Sequence, residues 1–392
     1  IVTDGLVFGY DMDNVAKSFK GKPTTNLTTN TPTQAGWQGN YSLVSSDTKT
    51  FDVTTQQNNS STTSAWRTWY WDVSSYEGST ITISGDVQFL EANDAEFLHI
   101  TIGQGNTGSF PVHIAGSSAA DKVQISTRPD QKIHMTWTGT INSAGLVGFT
   151  QWINNVTADG GNSTLRISNI QIEVSGFETP FVNGTRSNTQ ALLDMSKSKN
   201  TITATSLTYN SDGTFEFNNN NYLSLNTGIT GSNFTVLMWH YNGASSFATA
   251  GHRTFLSTNN LRFQWDDTPD RGPFVDFNSG SGGGQANFGS SLTPANFLQK
   301  YTMVGLVGGS TVKTTFNGVT SGQSSTISAT RNFSSNGNVS IGIDNLSGIG
   351  GSDHINREGS VVKMPLIQIY DRALTEAEIK QNFNATRGRF GI

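Results

Sequence analysis

S-T-I-T-I-S-G-D-V-Q-F, from Ser79 to Phe89, alternates apolar side chains with short polar ones. A period of two places successive side chains on opposite faces of an extended chain, so this stretch predicts a β-strand with one buried face. The same alternation recurs, between Gly, Asn and Asp turns, at Phe97–Ile102, Lys122–Ser126, Lys132–Trp137 and Leu165–Val174. Regularly spaced strands of this kind predict an antiparallel β-sandwich.

A second, longer block repeats the pattern. Its predicted strands lie within Gly213–Leu225, Phe234–Tyr241, Thr254–Trp265, Phe274–Phe277, Tyr301–Val307, Val312–Phe316, Val339–Ile343 and Val361–Tyr370. One helix is predicted near the C-terminus, where Thr375 and Glu378 form a T-x-x-E capping box ahead of Ile379 and Phe383. The predicted fold class is therefore all-β, with two antiparallel β-sandwich (jelly-roll) domains and a short C-terminal helix.

The composition excludes several classes of function. The 392 residues include 42 Gly and 23 Phe, but charged residues make up only 14%, where about 25% is usual. Cysteine is absent, which excludes disulfides, thiolate zinc sites and cysteine nucleophiles. A net charge of −5 offers no basic surface for nucleic acid, and no apolar stretch approaches the roughly 18 residues of a membrane span. Neither nucleic acid nor membrane insertion is expected.

The C-terminal run I-Y-D-R-A-L-T-E-A-E-I-K-Q-N-F-N-A-T-R-G-R-F-G-I, Ile369–Ile392, resembles the ending of laminin-G-like, concanavalin A-like sandwich domains in virion proteins of tailed bacteriophages. In those domains a first strand similar to Asp4–Asp13 is soon followed by an L-D-hydrophobe-S turn. Here the corresponding D-M-S turn comes only at Asp194–Ser196. The resemblance implies that a second domain is inserted between the two.

The intervening segment resembles a carbohydrate-binding-module-like jelly roll. Gly36-Trp37 stands near its start, and I-S-N-I-Q-I-E (Ile167–Glu173) and T-P-F-V-N-G-T-R-S (Thr179–Ser187) stand at its end. The predicted domains are residues 1–22 plus 188–392, a discontinuous laminin-G/concanavalin A-like sandwich, and residues 23–187, the inserted jelly roll. Residues 1–22 are expected to pair near Val361–Tyr370.

No arrangement of residues predicts an enzyme. Glu91, Asp94 and Glu96 follow E-x-x-D-x-E, whereas laminarinase-type sandwiches place E-x-D-x-E or E-x-D-x-x-E on one strand, so that two carboxyls can act together. A solvated loop is the expected role of these three residues. The six histidines have no metal-binding spacing and no G-x-S-x-G motif occurs.

Aromatic residues offer candidates for binding. Residues 66–71 read W-R-T-W-Y-W, and sugars present flat C–H faces that stack on aromatic rings. Trp66, Arg67 and Tyr70 are the predicted carbohydrate-binding residues. Trp69 and Trp71 are predicted to lie in the core, and the alternative for the whole cluster is that most of its rings are buried.

A second candidate site is the turn W-D-D-T-P-D-R, residues 265–271. Trp265 and Arg271 are predicted to contact carbohydrate. Asp266, Asp267 and Asp270 are candidate ligands for Ca²⁺, because carboxylate oxygens suit this ion and because laminin-G-like domains often hold one. The alternative is a solvated turn, and no other cofactor is implied.

These observations, with the resemblance, imply a non-enzymatic virion surface protein, either a tail fibre (adhesin) or a capsid decoration (head fibre). Such a protein would be assembled in the host cytoplasm, exposed on the virion, and would bind cell-surface glycans weakly. Expected partners are other virion proteins and further copies of the chain, as a trimer in a fibre. The alternatives are a secreted bacterial glycan-binding or glycan-cleaving protein and a purely structural role.

Overall fold

The computed structural model describes two compact units. The residues it describes are 1–14, 16–37, 40–56, 64–92, 95–105, 123–125, 132–156, 162–212, 214–217, 221–246, 252–266, 272–277, 285–289, 292–326, 332–344, 355 and 361–392. The outer unit comprises Ile1–Pro23 and Ser187–Ile392, and the inserted unit comprises Thr24–Arg186. The predicted boundaries, after residues 22 and 187, lie within one residue of these divisions.

The inserted unit is built from antiparallel strands. Strand β1 (Leu6–Asp11) precedes it and belongs to the outer unit. The strands of the inserted unit are β2 (Thr24–Thr25), β3 (Thr33–Trp37), β4 (Asn40–Asp47), β5 (Thr50–Gln56), β6 (Ser64–Asp72), β7 (Thr80–Ala92), β8 (Ala95–Gln104), β9 (Val123–Ile125), β10 (Lys132–Thr140), β11 (Leu146–Val156), β12 (Asn162–Glu173) and β13 (Thr185–Arg186). In the described part, one sheet has the order β10-β7-β12-β5-β4 and the other β3-β6-β11-β8-β9.

The alternating stretch from Ser79 to Phe89 lies almost entirely in β7, and one face of this strand is buried, as the pattern predicts. Ile81, Ile83 and Val87 of β7 are all inaccessible to solvent and join the core of the inserted unit. Phe149 of β11 lies in the same core. Apolar side chains of both sheets therefore fill one interior, as in a β-sandwich.

The outer unit resumes with β14 (Thr203–Thr205), β15 (Thr208–Tyr209), β16 (Phe215–Glu216), β17 (Tyr222–Asn226), β18 (Phe234–Asn242), β19 (His252–Ser257), β20 (Leu261–Asp266), β21 (Gly272–Phe277), β22 (Gln285–Asn287), α1 (Pro294–Phe297), β23 (Tyr301–Gly308), β24 (Thr311–Phe316), β25 (Val319–Thr320), β26 (Ser325–Thr326), β27 (Asn338–Ile341), β28 (Val362–Tyr370) and α2 (Glu376–Thr386). Its sheets run β1-β28-β18-β23-β24-β25, with β26 beside β24, and β14-β17-β27-β19-β20-β21-β22. The pairings are antiparallel, and β1 lies against β28 with Phe8 opposite Ile369, so residues before the insertion pair where the sequence predicts. The all-β class is confirmed.

Helix α2 starts at the predicted capping box. The Thr375 hydroxyl accepts a hydrogen bond from the Glu378 amide at 3.3 Å, and the Glu378 carboxylate accepts one from the Thr375 amide at 2.8 Å. Ile379 and Phe383 then pack on the outer face of the first sheet, where Phe383 stacks on Trp239 with ring centroids 5.7 Å apart. The helix thus covers apolar residues of that face.

Candidate functional site

The aromatic stretch of the inserted unit lies on β6. Trp69 and Trp71 are 0% and 5% exposed and pack against Phe51, with ring centroids 6.2 and 6.3 Å away. Both are core residues, which confirms that prediction. Tyr70 is half-buried and, by alternation, lies on the opposite face of the strand.

Strand register aligns Trp66 with three further aromatic positions. Trp66 is opposite Trp37 of β3 and Trp152 of β11, and Trp152 is opposite His99 of β8. Because these four strands are neighbours in the sheet, the four residues form a single row, here called the aromatic row. The structure describes only the backbone positions of these residues. Strands spaced by about 4.8 Å make the row roughly 14 Å long.

Arg67 lies on the other face of β6 from the aromatic row. It is opposite Gln151 of β11, one residue away from Trp66, and a period of two therefore puts its position on the face of Trp69. Only the backbone position of Arg67 is described, so carbohydrate binding by this residue stays a prediction.

A row of threonines lies next to the aromatic row. The Thr68 and Thr150 hydroxyls are 2.8 Å apart, and the Thr101 hydroxyl donates to the Thr150 carbonyl at 3.4 Å. All three residues are buried, and their hydroxyls already have partners. The threonine row therefore offers no free hydroxyl on this face.

The positions of this face that lie around the aromatic row are uncharged. They are Thr33, Ala35 and Trp37 on β3; Ser64, Trp66, Thr68 and Tyr70 on β6; Gly148, Thr150, Trp152 and Asn154 on β11; and Phe97, His99, Thr101 and Gly103 on β8. None of these positions is Lys, Arg, Asp or Glu, but Asp72, the next position of β6 on this face, carries a carboxylate and lies opposite Leu146 of β11. The part of the face around the aromatic row is therefore suited to a neutral ligand.

In the outer unit, Trp265 is a core residue. It is 1% exposed and stacks on Phe297 with ring centroids 4.2 Å apart. Leu261 and Phe263, which share its face of β20, are also in the core. The prediction that Trp265 contacts carbohydrate is wrong, because a sugar ring cannot reach a buried indole.

The alternate residues of β20 carry a buried ion pair. Arg262, 5% exposed, donates to Asp276 at 2.8 Å and to Asp344 at 3.0 Å. Burial alone would lower the pKa of Arg262, but the hydrogen bonds to these carboxylates raise it above its usual value. Gln264, two residues on, donates to the Thr254 hydroxyl at 2.7 Å. These bonds order the outer face of the second sheet.

The calcium prediction is untested. Asp266 ends β20, where only its backbone is described, and Asp267, Asp270 and Arg271 lie outside the described residues. Over the part of the chain that is described, no group of three or more His, Asp or Glu side chains could hold a metal ion. Calcium binding by the three aspartates stays a prediction.

The acidic candidates lie on two strands. Glu91 belongs to β7 and Glu96 to β8, which are in different sheets, and Asp94 lies outside the described residues. The strands therefore extend further into this segment than the predicted loop. Two glutamates in different sheets do not share one strand face, which is what the laminarinase-type pattern provides.

One charged cluster was missed by the sequence reasoning. His134 of β10 contacts Asp86 through Nδ1 at 2.7 Å and Glu178 through Nε2 at 2.8 Å, and Lys132 lies 2.7 Å from Asp86. Burial alone would lower the pKa of His134, but the two carboxylates raise it above its ordinary value. No local motif reveals this cluster, because its members come from three separate segments.

The outer unit is similar to a known family. The model of the concanavalin A-like lectin/glucanases superfamily matches residues 217–380, so this part of the chain has a concanavalin A-like fold. No curated protein sequence matches the chain. In the residues that the structure describes, no helix has the length and apolar character needed to cross a membrane.

Several solved structures are partly similar. The botulinum neurotoxin serotype D binding domain has 14% identity and a TM-score of 0.39, with 51% of this chain and 50% of that chain covered. The binding domain of Paraclostridial Mosquitocidal Protein 1 has 16% identity and a TM-score of 0.38, with 50% and 49% covered. Domain 4 of AbnA, an extracellular arabinanase from Geobacillus stearothermophilus, in complex with arabinotriose, has 15% identity and a TM-score of 0.36, with 50% and 92% covered. The match spans about half the length of the two toxin binding domains.

Proposed function

We propose that this protein is a non-enzymatic glycan-binding protein of a virion surface. The observation that carries the glycan-binding part is the aromatic row, in which Trp37, Trp66, Trp152 and His99 occupy one register row on four neighbouring strands. Aromatic rings stack on the C–H faces of sugars. A row about 14 Å long offers room for several sugar residues of an extended chain.

The fold of the outer unit supports the same function. The family whose model matches it includes both lectins and glucanases. The candidate acids Glu91 and Glu96 belong to different sheets of the inserted unit. A lectin-like role without catalysis therefore suits the chain better than hydrolysis. Binding at each site is weak, and many copies on one particle multiply it into firm attachment.

Binding is tested by replacing two members of the row. The full chain is applied to a glycan array as wild type, as Trp66→Ala/Trp152→Ala, and as Phe181→Ala, whose ring is 44% exposed in the same unit but is not part of the row. The double variant should lose binding by tenfold or more, which corresponds to about 1.4 kcal/mol for the two rings together. The Phe181→Ala control should bind like wild type. Equal binding by all three proteins would exclude the aromatic row.

The virion location rests on the phage-like C-terminal run, on the absence of cysteine and on the low charge. A fold without disulfides is compatible with assembly in a reducing host cytoplasm before release. Cryo-EM of particles, or immunogold labelling, should place the chain on the tail or on the capsid. Chains that occur only as free monomers, unattached to any particle, would refute a virion role.

The second candidate function is a secreted bacterial protein that binds or cleaves glycans, which the glucanase members of the family favour. Release of reducing sugars from polysaccharide, abolished by Glu91→Gln and Glu96→Gln, would establish it in place of the non-enzymatic role. A purely structural role instead gives no array signal, and host adsorption that does not change in the Trp66→Ala/Trp152→Ala variant.

A further inference from the structure

A cavity of about 270 Å³ lies in the outer unit, where the hairpin between β23 and β24 meets the start of α2. The hairpin contributes the turn Gly308–Thr311 and the side of Lys313, and β25 contributes Thr320. The helix side contributes Leu374, Thr375, Glu376 and Ile379. The cavity belongs to the outer unit alone, and none of the predicted site residues lines it.

The strand pattern explains why the cavity forms there. Val312, Thr314 and Phe316 of β24 are buried on the side that faces the second sheet, so Thr311 and Lys313 point to the opposite face. Helix α2 covers that face through Ile379, but the helix begins only at Glu376. The segment of the face beyond the helix start is left open as the cavity.

Two side chains of opposite charge line the cavity. Neither Lys313, which is half-buried, nor Glu376, which is exposed, makes a hydrogen bond or ion pair with the described residues. The neighbouring polar groups are already engaged: Thr375 caps α2, and Glu378 binds Arg372 at 2.6 Å. Lys313 and Glu376 are therefore the charged groups that the cavity can offer to a ligand.

The chemistry of these groups identifies a class of ligand. Lys313 donates hydrogen bonds and Glu376 accepts them, while Leu374 and Ile379 supply an apolar wall. Vicinal hydroxyls of a sugar can accept from the lysine and donate to the carboxylate. One positive and one negative side chain balance, which favours a neutral ligand. The volume is slightly below the roughly 300 Å³ of the smallest usual ligand pockets, which suits one sugar ring rather than a chain.

We infer that this cavity is a second sugar site, which binds one neutral pyranose ring between Lys313 and Glu376. It is separate from the aromatic row, which lies in the other unit. The two sites would recognise different features: the row an extended segment of a glycan, and the cavity a single ring.

Methyl NMR of the full chain tests the inference directly, because Val307, Leu374 and Ile379 line the cavity and carry reporter methyl groups. The probes are the methyl glycosides of glucose, galactose, mannose and N-acetylglucosamine, and methyl glucuronide as the acidic comparison. At least one neutral glycoside should shift these methyl signals saturably, with an affinity on the order of 1 mM. Lys313→Met and Glu376→Gln should each weaken that affinity about tenfold, whereas Lys300→Met, an exposed lysine outside the cavity, should not.

The outcomes separate this site from the proposed function. The Trp66→Ala/Trp152→Ala variant should keep the methyl shifts even where it loses binding on the array. Absence of shifts with every glycoside, or shifts that are unchanged in both Lys313→Met and Glu376→Gln, would overturn the inference. Tighter binding of the glucuronide than of any neutral glycoside would overturn its assignment to a neutral sugar.

Discussion

The Gly9 amide donates a hydrogen bond to the Asp194 carboxylate at 2.9 Å, although the two residues are 185 positions apart in the chain. The same carboxylate accepts from the Ser196 amide at 2.9 Å, the Ser196 hydroxyl at 2.8 Å and the Asn200 amide at 2.8 Å. Asp194 thus ties strand β1, which precedes the insertion, to the first residues that follow it. This explains how one sandwich can be built from two separated parts of the chain.

Removing the Asp194 carboxylate should destabilise the outer unit. In Asp194→Ala, four donors lose a charged acceptor in a buried setting, and the expected loss is about 3 kcal/mol or more of unfolding free energy. Chemical denaturation followed by NMR signals of outer-unit residues measures it. Glu77→Gln, an exposed position in the inserted unit, serves as the control and should have little effect. A wild-type denaturation midpoint in Asp194→Ala would contradict the role assigned to this carboxylate.

Removing the Arg262 guanidinium should also be costly. Arg262→Met deprives Asp344, whose side chain is fully buried, and Asp276 of their shared cation. Loss of one partner from a buried ion pair costs about 3–5 kcal/mol. The unfolding free energy of the full chain is the measurement, and Arg166→Met is the comparison, because the Arg166–Asp52 pair is much more exposed and should contribute under about 1 kcal/mol. Equal losses in both variants would show that burial does not set the cost.

Local sequence patterns predicted the elements more successfully than the surfaces. The core positions of Trp69 and Trp71 and the capping box at Thr375 follow from alternation and from spacing within a few residues. The burial of Trp265 is not evident from the sequence, because Arg262 and Gln264 on the alternate face of β20 are also buried and polarity along the strand does not mark the core. The aromatic row could not be found, since the register between distant strands depends on tertiary pairing.

The His134 cluster predicts a pH dependence of stability. The pKa of His134 is raised in the folded protein by Glu178 and Asp86 against the effect of burial. The pair of contacts therefore stabilises the folded state fully below the unfolded pKa of about 6.5, and the stabilisation is lost as pH rises through the folded pKa. The contribution stays under about 1 kcal/mol because the histidine side chain is 50% exposed.

The measurement is the unfolding free energy of wild type and of His134→Gln at pH values from below the unfolded pKa of His134 to above its folded pKa. Lys132 shares Asp86 with the histidine and is present in both proteins, so its contact cancels from the comparison. The difference between the two proteins should be largest at the acid end and should vanish at the alkaline end. Glu178→Gln should shift the step to lower pH. A difference that grows as pH rises would mean that the neutral imidazole is the stabilising form.

Glycan binding at the aromatic row should be nearly independent of salt. The face from Ser64 to Tyr70 on β6, and the positions paired with it on the neighbouring strands, contain no Lys, Arg, Asp or Glu. Stacking does not involve ion pairs, whereas attraction between charges weakens as the Debye length falls from about 10 Å at 0.1 M salt to about 3 Å at 1 M. Titration of the best array ligand at these two salt concentrations should give affinities within about twofold of each other.

Arg67→Gln should bind like wild type, because Arg67 lies on the opposite face of β6 from its neighbour Trp66. A tenfold loss of affinity in high salt, or in Arg67→Gln, would place a cation in the binding site and would contradict recognition by the neutral face.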